Sequence, residues 1–362
     1  MISQDKKRVV CCVGLRSLWR RAFLVLMAPS SLVLAQPDDS QLDFVVSSIR
    51  YALTSPADEA RACPEGISRH TPGLVNMCMT PERAGFDTDM RTVTGNVNAE
   101  GIDLDNSIGN EDFQGFDGVA GVDNQFYRVV GCSHAYRQGG QGNMFEIEMR
   151  TGAWGLLVRL MDVDDLVNDN HVRVGLYANS DPIYLSAQRE PLPYATYSMH
   201  QDPQLHAETD GVIRDGKLST RPVDFRFLSS VNSMLVHRVL RDGRLEASIN
   251  EDGTISGYLA GYSPVEDLYD ESFGFRNAIK SDGSLAPENL RARSAHGKSY
   301  VLGYNCPGMY QALKKHADGH PDDLGVFTSV SQQYVIKAIP AFIVDTPTES
   351  LNQSLTRVGE VK

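Results

Sequence analysis

The chain contains no G-x-S-x-G, no H-E-x-x-H and no G-x-x-x-x-G-K-[ST]. Elbow-type esterases, zinc proteases and P-loop nucleotidases therefore have no support. There is no C-x-x-C pair either, which argues against thioredoxin-type redox chemistry and attached c-type haem. Basic residues are scarce, with 34 Lys and Arg against 46 Asp and Glu. Residues 1–35 hold six of the former and one of the latter, leaving 28 basic and 45 acidic side chains and a formal charge of −17 on the rest. Such a surface repels phosphate backbones and anionic lipid, so neither nucleic acid nor a peripheral membrane role is expected. Of two tryptophans only Trp154 lies beyond residue 35. Sugar platforms usually stack on several aromatics, and Tyr177, Tyr184, Tyr194 and Tyr197 are the available substitutes.

Long apolar runs are also missing. The stretch from Ala22 to Ala35 is broken by Pro29-Ser30-Ser31 and falls short of the roughly 20 residues a spanning helix needs. It follows a basic run (Lys6, Lys7, Arg8, Arg16, Arg20, Arg21) and closes on Val33-Leu34-Ala35, the form of a cleaved secretory signal. Arg20-Arg21-Ala22-Phe23-Leu24 partly matches a twin-arginine signal. The expectation is a periplasmic or secreted protein that begins near Gln36 and has no stable membrane anchor.

Four cysteines lie beyond the signal: Cys63, Cys78, Cys132 and Cys306. An even count in an exported chain predicts two disulfides. The expected pairing is Cys63 with Cys78, closing a short loop, and Cys132 with Cys306, tying early and late segments.

Residues 36–142 form an Asp/Asn/Gly-rich, loop-dominated segment containing a short helix, for which Leu42, Val45, Val46, Ile49 and Leu53 have helical spacing. Residues 143–345 change to strand patterns. Met144–Arg150 and His171–Tyr177 alternate apolar and polar, and Arg244–Ile249 with Thr254–Ala260 makes a hairpin around Asp252-Gly253. Further turns are expected at Arg214-Asp215-Gly216 and Arg241-Asp242-Gly243. Short helices are predicted at Pro264–Tyr269 and Pro307–His316, and a late strand with an edge or bend at Pro340 within Ser331–Val344. The fold class expected is mainly β, a jelly-roll-like β-sandwich with a disulfide-tied N-terminal region and a few short helices. Residues 346–362 read as a flexible tail.

Tyr51–Gly66, Gly121–Cys132 and Asp252–Tyr262 resemble blocks found in uncharacterised exported proteins of proteobacteria. The resemblance implies export and a shared architecture, and it carries no catalytic residue.

Metal chemistry is expected in the acidic loops. Calcium needs six to eight oxygens, and Asp or Asn alternating with Gly at bends can supply several. Asp103, Asp105, Asp117 and Asp123 are the leading ligands, with Asp162, Asp164 and Asp169 second. The His316/His320 and His200/His206 pairs lack a third soft or borderline ligand and are read as surface residues; His134, beside Cys132, is read as structural. The leading function is a non-enzymatic exported protein with a binding or structural role, stabilised by calcium, with a carbohydrate or another exported protein as partner. The alternatives are a glycan-directed hydrolase using paired carboxylates the sequence does not single out, and an accessory subunit of a periplasmic redox system.

Overall fold

The computed structural model describes residues 41–53, 59–68, 77–84, 90–94, 97–136, 144–150, 154–179 and 181–345. The segments expected from the sequence to be a signal, residues 1–35, and a tail, residues 346–362, lie outside them. The strands are β1 (Leu42–Tyr51), β2 (Phe113–Gln114), β3 (Ala120–Val122), β4 (Gly155–Met161), β5 (Asp169–Asn179), β6 (Ala195–Ser198), β7 (His206–Arg214), β8 (Lys217–Thr220), β9 (Val223–Val231), β10 (Met234–Ile249), β11 (Ile255–Pro264), β12 (Gly319–Pro321) and β13 (Phe327–Val344). Helices are α1 (Glu59–Ala62), α2 (Gln125–Val130), α3 (Met144–Arg150), α4 (Val265–Tyr269), α5 (Glu288–Leu302) and α6 (Cys306–Lys315), with one π-helical turn at Asp270–Gly274.

The mainly β architecture read from the sequence is present. Its largest sheet runs β1-β4-β5-β7-β8-β10-β11-β13, and β13 pairs back onto β1. Every pairing around this ring is antiparallel, so eight strands close in chain order and no ring strand is left with an open edge. Barrels of this size are filled by side chains or hold one small ligand. Alternation along paired strands turns Phe44, Val158, Val174, Ile213, Leu218, Leu245, Leu259 and Ile336 inward, and all are buried. Burial of each such side chain stabilises by about 1.5–3 kcal/mol.

β1 replaces the helix expected at residues 42–53. A bulge between Val46 and Ser48 inserts Ser47, whose hydroxyl donates to the Lys337 carbonyl at 3.1 Å. The extra residue shifts the in–out alternation, and this shift produced the helix-like spacing of apolar residues. Phe, Val and Ile packed between β4 and β13 settle the strand. β1 also joins the loop-rich early segment to the same sheet as the later strands.

Met144–Arg150 forms α3 instead of a strand. Met, Glu and Arg are good helix formers, and the helix buries Met149 while leaving Ile147 exposed. Arg241-Asp242-Gly243 is a bulge within β10, not a turn between strands: the pairing shifts register there and Asp242 takes φ 49°. The 250–253 hairpin, the Asp215-Gly216 turn, β5, α4, α6 and β13 are where the sequence placed them. Pro340 lies at a junction: β11 pairs with β13 up to Ala338, and β6 takes over from Ala341.

The disulfides are Cys63–Cys132 and Cys78–Cys306, correcting the expected pairing. The chain leaving α1 lies along the end of α2, where Ser68 N–H donates to the Cys132 carbonyl at 2.8 Å. Cys78 is held elsewhere, its carbonyl accepting from the Tyr269 hydroxyl at 2.9 Å, close to the start of α6. Nearness in sequence thus gave the wrong partner. The two covalent loops interleave and pin the loop-rich segment at both α2 and α6.

Candidate functional site at the mouth of the barrel

One charged side chain interrupts the inward face of β10. Met234, Val236 and Leu240 are buried at alternate positions, and Arg238 occupies the slot between Val236 and Leu240. Its Nη1 lies 2.9 Å from Glu271 Oε1, 2.8 Å from Tyr51 Oη and 3.2 Å from Tyr334 Oη, while Nε donates to Ser229 Oγ at 2.8 Å. Tyr51 and Tyr334 face each other across the β1–β13 pairing, their rings 5.3 Å apart. The guanidinium therefore caps the polar end of an otherwise apolar interior.

Glu271 comes from the π-helical turn that follows α4. Such turns recur at functional sites because the widened backbone re-aims a side chain. The turn ends in Phe275 at φ 54°, a left-handed conformation that costs a bulky residue on the order of 1–3 kcal/mol. Gln332 Nε2 approaches Glu271 Oε1 at 3.4 Å, and the Ser263 hydroxyl, 2.7 Å from Gln332 Oε1, orients that amide. Glu271 Oε2 is buried and makes no hydrogen bond of full geometry among the described residues, although the Val239 N–H approaches the carboxyl closely enough to draw it down. Burial pushes this carboxyl up from 4.5 to about 7, against the opposing pull of Arg238.

The cluster borders a cavity of about 360 Å³. α5 covers one side with Gly297, Lys298 and Val301, α3 contributes Glu148, and Asn232 comes from the β9–β10 turn. Lys298 Nζ sits 5.1 Å from the centre of the Phe275 ring. Burial and then the charge of Arg238 bring its ammonium down from 10.5 to about 8. Burial raises Glu148 as well, opposed by Lys298 and by a hydrogen bond from Ser230. Two carboxyls and an amine thus share one partly enclosed space, each shifted toward neutral pH.

The acidic loops fold against the barrel's outer face. Gln333, pointing outward from β13, accepts from Ile102 N–H at 2.8 Å and donates to the carbonyls of Ile102 and Asp123 at 2.7 and 2.5 Å. This docking brings Asp103, Asp105 and Asp123 together, with one carboxylate oxygen of each within 4.8 Å of the others. Asp123 is buried and pushed up to about 7, first by burial and then by the charges of Asp105, Asp112 and Asp318, while Leu104 N–H donates to it at 2.6 Å. Asp117 stays outside the trio, accepting from Val119 N–H at 3.1 Å.

Asp162, Asp164 and Asp169 do not converge. Asp169 accepts from the backbone N–H groups of Asp164 and His171, which hold its carboxyl below the usual range and make it a loop organiser. Asp162 faces Arg173 at 3.7 Å. Three of the four paired histidines are engaged elsewhere: His200 Nδ1 accepts from Asp202 N–H, His206 Nε2 lies against the His200 carbonyl, and His320 faces Asp242 at 3.2 Å. His316 caps α6 only through its backbone; its ring is partly buried, with Nε2 lacking a hydrogen-bond partner among the described residues, instead of lying on the surface as expected, and the His134 side chain lies outside what is described.

The sequence reading did not single out Arg238, Glu271, Glu148 or Lys298. A signal for two of them existed. Arg238 breaks an apolar alternation, and Glu271 lies inside the aromatic run Tyr269-Asp-Glu-Ser-Phe273-Gly-Phe275. Compared with protein-family models, curated proteins and solved structures, the chain matches none of them.

Proposed function

We propose that this chain is an exported small-molecule-binding protein whose site is the cavity at the mouth of the barrel. The observation that carries this reading is Glu271, a fully buried carboxyl on a π-helical turn, bordering a cavity with one oxygen that makes no hydrogen bond of full geometry among the described residues. An unmade hydrogen bond at such a group costs about 1–3 kcal/mol, which a ligand donor would recover. A volume of about 360 Å³ suits one metabolite-sized molecule better than a length of glycan chain. Export to the periplasm or medium is supported by the signal-like first 35 residues together with the two disulfides.

The test is a thermal-shift panel of small polar metabolites on the chain lacking its signal, run beside Gly297→Trp. A Cβ at Gly297 meets nothing within 4 Å, so an indole there has space to enter the cavity. Compounds should raise the melting temperature of the wild type and not that of the folded variant. Shifts that persist in Gly297→Trp would place the ligand elsewhere.

Calcium at the acidic loops is proposed for Asp103, Asp105 and Asp123 alone. The support is the convergence of three hard oxygens around a carboxylate that burial first, and its acidic neighbours second, hold toward protonation. A divalent cation there would compensate the buried charge, relieve the repulsion among the three carboxylates and pin the loop to the barrel.

A further inference from the structure

We propose that Lys298 captures a small aldehyde or ketone in this cavity as an imine, an inference that rests on the cavity being a small-molecule site. Lys298 is on the cavity-facing side of α5, and among the described residues its Nζ makes no hydrogen bond or ion pair. A lysine kept as a charge is normally paired or hydrated. Burial and the Arg238 guanidinium on the same cavity wall favour the amine, and they outweigh the opposing pull of Glu148, Glu271 and the Phe275 ring face, which favour the ammonium. Glu148 and Glu271 offset two of the three cations, Arg238, Arg293 and Lys298, that line the same space, so a small carbonyl compound, neutral or singly anionic, meets no uniform repulsion there.

The groups needed for imine chemistry line the same cavity as the amine. The Nζ lone pair attacks the carbonyl carbon, and a proton moves from nitrogen to oxygen to give a carbinolamine. The carboxyl of Glu271, which lines the cavity, supplies a proton to the departing hydroxyl, which leaves as water. Its carboxylate, or that of Glu148, then takes the proton lost as the C=N bond forms. The balance is one carbonyl plus one amine giving one imine plus one water, with no change of oxidation state.

Reductive trapping tests this directly. The folded exported chain is treated at pH 7 with sodium cyanoborohydride and limiting formaldehyde, glycolaldehyde or pyruvate, and each lysine is quantified by peptide mass spectrometry. Lys298 should be alkylated at least about tenfold faster than the exposed Lys217, as expected for a desolvated amine. Glu271→Gln should slow trapping at Lys298 and leave Lys217 unchanged. Gly297→Trp should block glycolaldehyde and pyruvate at Lys298. If Lys298 reacts no faster than Lys217, the imine is overturned. A compound that shifts the melting of the wild type but not of Gly297→Trp, while Lys298 stays unmodified, overturns the imine and leaves the binding site standing.

Discussion

Replacing Arg238 with methionine while leaving Glu271 in place separates the cost of a broken ion pair from that of lost packing. Glu271 is fully buried, and its rise from 4.5 to about 7 means that ionising it costs the folded state roughly 3 kcal/mol even with the guanidinium beside it. Between those two values the folded chain binds more protons than the unfolded chain. Stability therefore falls as pH rises from about 4.5 to 7 and levels off above. Removing Arg238 takes away the cation that lowers the carboxyl, so the falling region extends to higher pH. Arg238→Met should then cost about 3–5 kcal/mol at pH 8, the range for a buried charge left without its partner. At pH 5 the carboxyl is neutral in the folded state, and the cost should shrink to about 1–2 kcal/mol from lost hydrogen bonds to Tyr51, Tyr334 and Ser229. Arg238→Met/Glu271→Gln should recover most of the loss at pH 8. Urea unfolding of the three proteins at pH 5, 6.5 and 8 measures all of this. A pH-independent cost, or a double variant no more stable at pH 8 than the single, would refute the reasoning.

Non-reducing peptide mapping should recover Cys63–Cys132 and Cys78–Cys306, and Cys78→Ala/Cys306→Ala should lose about 2–5 kcal/mol because its bond spans 228 residues; an unchanged urea midpoint would contradict this. Millimolar calcium should raise the melting temperature after chelation, more at pH 8 than at pH 5.5, because protons compete for Asp123. Asp123→Asn should weaken that response while Asp117→Ala keeps it, and equal responses in the two variants would dismiss the trio. Gly297→Ala should stabilise the protein by up to about 1 kcal/mol through helix propensity, since the new Cβ meets nothing within 4 Å, and a destabilised variant in urea unfolding would show that α5 is closer packed than described.

The β character, the main hairpin and the late strand were legible because alternation and turn chemistry are local. β1 was not, because the bulge at Ser47 turned a period of two into an apparent helical spacing, and only its pairing with β4 and β13 reveals the strand. α3 misled in the opposite sense: seven residues alternating in polarity fit a strand, and helix propensity prevailed. Ring closure depends on β1 meeting β13 across nearly the whole chain, a contact no window of sequence contains. The acidic trio was partly visible as a cluster of loop carboxylates, yet its membership depended on Gln333 docking the loop, which excluded Asp117. Arg238, Glu271 and Lys298 come from a strand, a π-helical turn and a helix that only the closed barrel brings together.

The most direct measurement is a crystal structure of the protein purified from the exported fraction of its own host, inspected between Glu271 Oε2 and Lys298 Nζ. A small-molecule site predicts density larger than water in this cavity, with a donor within hydrogen-bond distance of Oε2. A space filled by protein side chains, with Oε2 satisfied by a protein donor and no molecule bound, would contradict the proposed function.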